Sequence, residues 1–148
     1  MSELSESIRV AFLAVMVPGM LWVDRRWDQP EGRIPAPIAL TVLGVGLGLA
    51  LMAQDLTGLI LWPAFFLGWR AGGVGAGDAK VWMGLAAAGG IGPSAAGLAA
   101  LVVLARLRAW RMGWGWQAGL APRVRVPMSA PTAGWALAAA LTWIALGG

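Results

Sequence analysis

Gly75-Ala76-Gly77-Asp78-Ala79-Lys80 sets a carboxylate between glycines directly ahead of an apolar, small-residue run at 79–91. The surrounding chain is 59% hydrophobic and only 12% charged, with a mean hydropathy of +0.72. In lipid, an ionised side chain near the bilayer centre costs about 2.5–3.5 kcal/mol on insertion scales, so an acid retained there points to function. Gly75 and Gly77 add a second signal, because glycine admits the close approach of another backbone, which an isolated buried Asp does not require.

Working outward, the composition defines an integral membrane protein. With 148 residues and about 20 residues per span, the chain accommodates about six short helices and no further soluble domain. The expected fold is therefore all-α, a polytopic helical bundle in which residues 1–148 form one membrane-embedded domain. The sequence has no Cys and no His. That excludes disulfides, thiolate or imidazole metal ligands, and cysteine or histidine catalysis. Any chemistry falls to carboxylates, and no cofactor or metal is expected. Ten Trp and no Tyr leave tryptophan as the aromatic for interface belts.

Apolar runs at about 8–23, 37–53, 56–69, 79–91, 94–105 and 129–147 read as six helices. Pro37 suits a first turn, Gly92-Pro93 marks a break, and Pro127 and Pro131 bracket the last entry. If every run crosses, loops one, three and five share a side. They carry Arg25, Arg26, Arg33, Arg70, Lys80, Arg106, Arg108, Arg111, Arg123 and Arg125, ten of the eleven Lys and Arg. The positive-inside rule makes that side cytoplasmic and puts both termini outside. Asp24, Asp28 and Asp78 then lie at the cytoplasmic boundary, and Asp55 on the outer side with Arg9 in the N-terminal tail. The net charge of +4 is thus a topology signal, and no nucleic-acid partner is expected. Residues 106–127 interleave Trp110, Trp114 and Trp116 with arginines and read as an interfacial anchor. Lys80 and the loop arginines read as orienting groups that bind lipid headgroups. The glycine and alanine patches at 44–48 and 86–90 read as packing faces. Glu3 and Glu6 ahead of the first run give no signal-peptide pattern.

One aspartate cannot be general acid and general base together, so Asp78 requires a second carboxylate on its side, and Asp24 and Asp28 are available. Here the chain resembles the prepilin peptidases and their preflagellin relatives, membrane aspartyl proteases of the GxGD type. Gly75 to Lys80 is similar to their GxGDxK. An acid followed by Ile34-Pro35 resembles their first catalytic segment, and Val126-Pro127-Met128-Ser129-Ala130-Pro131 their proline-containing entry to the last helix. The resemblance makes Asp78 one catalytic acid. Asp28, with a five-residue gap to Ile34-Pro35, is the first choice for the other, and Asp24, which begins Asp-Arg-Arg after Leu21-Trp22-Val23, is the alternative. Ala36 stands where the family usually has Asn or Asp. Without the cysteine-containing segment of the bifunctional members, the chain looks like the short peptidase-only form associated with Tad-type pili, and no methyltransferase activity is implied.

What the resemblance implies is an endopeptidase of the bacterial inner membrane that removes the leader of type IV pilin-like precursors at the cytoplasmic face, without a cofactor. Two carboxylates sharing a site cannot both ionise cheaply, so one serves as base and the other as acid. Two other classes of reading exist: a small proton-coupled transporter with Asp78 as its carrier, and a non-catalytic membrane scaffold.

Overall fold

The computed structural model describes residues 2–27, 34–71, 74–111, 113 and 129–146. Among them are six α-helices and no strand: α1 Ser2–Trp27, α2 Ala36–Met52, α3 Trp62–Arg70, α4 Ala76–Gly89, α5 Ile91–Arg111 and α6 Ser129–Ala145, with a 3-10 turn Thr57–Leu61 leading into α3. Each of the six apolar runs corresponds to one helix. Two segments, Glu3–Val23 and Ile91–Arg111, are long and apolar enough to cross a membrane, while α2 is apolar but shorter, at 17 residues.

The boundaries follow local chemistry. Pro35, at φ −56° and ψ 136°, precedes α2, and Pro37 occupies its first turn, where a missing N–H costs nothing. Pro63 does the same for α3, so the run at 56–69 divides into a 3-10 turn and a nine-residue helix. The break expected at Gly92-Pro93 lies instead at Gly90, whose φ of +67° is a left-handed conformation that glycine adopts without strain. Pro93 sits inside the start of α5. The cations expected in loops are largely helical: Arg25 and Arg26 belong to α1, Arg70 to α3, Lys80 to α4, and Arg106, Arg108 and Arg111 to α5. Arginine is a good helix former, and a cation in the last turn complements the helix dipole.

α4 holds the bundle together. Every residue from Gly84 to Gly90 is buried, and α4 packs chiefly on α2 while also touching α1, α3, α5 and α6. On its other side α6 packs between α1 and α5. Phe65, Trp82 and Trp135 form an aromatic core with ring centroids 5.5–6.3 Å apart, and Trp82 Nε1 donates to Thr132 Oγ1 at 2.9 Å. The outer surface is apolar as well, with Val15, Leu40, Leu51, Ile60, Leu141 and Ile144 all exposed.

α2 and α4 cross backbone to backbone at Gly46 and Gly84. A Cβ on Gly46 would collide with the Gly84 carbonyl, and one on Gly84 with the Val42 carbonyl. Such close crossings are the use small residues have in helix packing. Gly44 and Gly48, by contrast, face open space, with nothing within 4 Å of where a Cβ would stand. Of the three glycines in that patch, only Gly46 is a packing contact. Gly84→Ala is therefore expected to destabilise the bundle by about 1–3 kcal/mol through overpacking. Gly44→Ala is expected to be neutral or stabilising by up to about 1 kcal/mol from helix propensity. Thermal unfolding of the purified variants compares the two.

Candidate active site

Asp78 is the third residue of α4. Gly75 caps the helix in an extended conformation, φ −68° and ψ 148°, and its carbonyl accepts the first helical bond from Ala79 N at 3.0 Å. An acid in the first turn meets the positive end of the helix dipole, which accounts for helix formation beginning just ahead of a charged residue. The side chain is only 5% exposed. Its carboxylate turns back over the cap: a Cβ on Gly75 would lie 2.8 Å from Asp78 Oδ2.

The second glycine has a different neighbour. A Cβ on Gly77 would lie 2.7 Å from the Ile34 carbonyl oxygen and 3.3 Å from Ile34 Cβ. Gly77 thus lets the Ile34-Pro35 segment lie directly on the first turn of α4. Ile34 itself is buried and belongs to the same core cluster as Val23 of α1 and Val81 of α4. Two segments singled out in the sequence, Ile34-Pro35 and Gly75 to Lys80, are in this way brought to one place.

Between them is a cavity of about 530 Å³ lined by Ile34, Pro35, Ala36, Trp69, Val74, Gly75, Ala76, Gly77, Asp78 and Lys80. Trp69 and Val74 are not among the residues expected from sequence. Each follows from position, Trp69 in the last turn of α3 and Val74 just ahead of the glycine cap. The cavity combines apolar walls with a buried acid and one cation, a setting in which electrostatic interactions are stronger than in water.

Of the two proposed partner acids, Asp28 lies outside the described residues. Asp24 is in the last turn of α1. α1 runs antiparallel to α4, since Arg9 near the start of α1 reaches Ala88 near the end of α4. The last turn of α1 therefore lies at the end of the bundle that holds Asp78. Of the proline-containing entry, residues 126–128 lie outside the described residues, while Pro131 is buried in the first turn of α6.

The far end of the bundle holds a cluster not expected from sequence. Arg9 is 2% exposed, within α1 and not in a solvated tail. Its Nη2 pairs with Asp55 Oδ2 at 2.8 Å, its Nε donates to the Ala88 carbonyl, and its guanidinium lies 4.5 Å from the centre of the Trp143 ring. Asp55 also accepts from Thr57 N at 3.1 Å and Thr57 Oγ1 at 2.6 Å, and Thr57 Oγ1 accepts from Ile91 N at 3.2 Å. Partial burial pushes the Asp55 carboxyl up, but the hydrogen bonds from Thr57 and Arg9 outweigh it, so its pKa lies below the ordinary 3.8. The signal is legible in principle, because a cation within an apolar run requires an acid at the same depth, and Asp55 is on that side. This cluster joins α1, the α2–α3 turn, the α4–α5 junction and α6, and it accounts for Asp55 as a structural group.

No family model, no curated protein and no solved structure matches this chain. The class that fold and site define is thus an all-helical bundle with a buried aspartate at a helix N-terminus, opening on a cavity.

Proposed function

We propose that the chain is a six-span aspartyl endopeptidase of the bacterial inner membrane. It removes the N-terminal leader of type IV pilin-like precursors at the cytoplasmic face, in the manner of the short peptidase-only prepilin peptidases. The observation that carries this reading is the meeting of Ile34-Pro35 with Gly75 to Lys80 around one cavity that contains buried Asp78. A transporter or scaffold gives no reason for those two segments to converge there. Membrane placement is supported by the two long apolar helices and by the apolar outer surface, which in water would be a large unsatisfied patch.

The reaction needs two carboxylates and water. The ionised member of the pair takes a proton from water as its oxygen bonds to the scissile carbonyl carbon, while the protonated member gives its proton to the carbonyl oxygen. Collapse of the tetrahedral intermediate breaks the C–N bond, and a proton passes to the departing amine. Asp78 is one member; Asp28 is the proposed other, with Asp24 as the alternative. The two macroscopic pKa values belong to the pair and not to either residue.

The test is cleavage of a pilin-like precursor by the purified protein in a bilayer, with the released leader identified by mass. Cleavage at a single bond ahead of the apolar helix supports the reading, and an intact precursor beside folded protein contradicts it. A finer prediction concerns Gly75. Its φ and ψ suit any residue, so Gly75→Ala introduces no backbone strain, and its Cβ meets only the movable end of Asp78. The carboxylate must rotate away from the cap. The expected result is little change in thermal stability and a loss of about tenfold or more in cleavage rate, since misplacement of a reacting group by about 1 Å can cost a hundredfold.

A further inference from the structure

Lys80 lines the same cavity as Asp78 yet has no part in the two-acid reaction. It lies two residues further along α4, a spacing that does not place side chains face to face. Among the described residues Arg9 pairs with Asp55, whereas Lys80 makes no hydrogen bond or ion pair. It is half-buried, beside a cavity whose other walls include Ile34, Pro35, Val74 and Trp69. A cation in such surroundings lacks part of its hydration and gains from an anion brought to it.

We propose that Lys80 is the specificity determinant of this cavity and pairs with a carboxylate side chain of the substrate peptide, carried close to the scissile bond. The inference rests on the endopeptidase reading. Asp78 and Lys80 give the cavity an electrical direction: a basic residue of the substrate is favoured on the aspartate side and repelled from the lysine side. The first turns of α4 add to the preference for negative charge near Lys80, because the helix N-terminus is the positive end of its dipole. The pair thereby sets the direction in which a peptide lies across the acids. This gives Lys80 a role distinct from holding lipid headgroups.

The experiment uses full-length protein reconstituted in phosphatidylcholine vesicles with and without phosphatidylglycerol. The substrates are precursors of one pilin-like protein that differ only in carrying Glu, Gln or Lys at single positions flanking the cut. Wild type is expected to favour Glu over Lys at one such position by about tenfold in kcat/KM, mostly through KM. Lys80→Glu is expected to invert that order, and Lys80→Arg to retain it. A structural role for Lys80 would lower cleavage of all substrates alike and could not produce an inversion. Equal rates on all three substrates for wild type and Lys80→Glu would overturn the inference while leaving the endopeptidase intact. A uniform loss in Lys80→Glu that appears only with phosphatidylglycerol would assign the lysine to lipid and overturn it equally. If wild type cuts none of the precursors, the endopeptidase reading falls and this inference with it.

Discussion

Asp78→Asn is expected to lower leader removal by about a thousandfold, within the range ascribed to general acid–base catalysis, with membrane level and helical content unchanged. Asn has the shape of Asp but neither takes nor gives the proton the reaction requires. The site is suited to such a swap. Asp78 is 5% exposed and its carboxylate lies against the Gly75 cap, where an amide of the same size fits without a cavity or a clash. A loss of activity in that variant would thus come from chemistry and not from unfolding. Single-turnover cleavage by equal amounts of folded wild type and variant is the measurement. Retention of activity within about tenfold would be inconsistent with an aspartyl mechanism through Asp78.

The second large effect is on stability. Asp55→Asn removes the charge that balances the Arg9 guanidinium, 2% exposed, and leaves it with a neutral amide, the Ala88 carbonyl and the Trp143 face as neighbours. Removing one partner of a buried pair costs about 3–5 kcal/mol because the other charge is left uncompensated. The Asp55 side chain is 29% exposed, which lets water soften the loss, so the expected cost is about 3 kcal/mol. The same principle predicts that Arg9→Met with Asp55→Asn together is less damaging than Asp55→Asn alone, since an apolar side chain needs no partner. Denaturant midpoints of wild type, the single variants and the double variant in one detergent test this. A double variant no better than Asp55→Asn would contradict it. The pH dependence has a definite sign. The folded-state pKa of Asp55 is lowered from 3.8, so its contribution is fully present above that value and is lost as pH falls through the lower folded-state pKa. The bundle should keep this contribution at about pH 5–7 and lose it in stronger acid, and Asp55→Asn should remove that part of the acid sensitivity.

How far the sequence can be read depends on which physical signal each feature leaves. The six apolar runs are visible because burial in lipid or core demands uninterrupted apolar residues, and each corresponds to a helix. The meeting of Ile34-Pro35 with Gly77 leaves no local signal, since no periodicity relates those segments. The internal boundaries are less legible because proline reads as a stop when it also suits a first turn. Pro93 and Pro63 both lie near helix starts, and Gly90, not Gly92, carries the left-handed turn. Arg9, at the edge of the first apolar run, reads as part of the N-terminal tail. Only the tertiary fold brings Asp55 and Ala88 to its guanidinium. Likewise, Trp69 and Val74 enter the cavity through the geometry of α3 and the segment ahead of α4, which local sequence does not encode.

The central claim is that Asp78 acts with an acid from the segment before Ile34-Pro35. It is tested most directly by following leader release by mass spectrometry with wild type and with Asp24→Asn, Asp28→Asn and Asp78→Asn, each at matched membrane level. Loss is predicted with Asp78→Asn and with one of the other two, Asp28→Asn first, while the remaining variant cleaves at a rate near wild type. Cleavage that survives all three substitutions would contradict the claim.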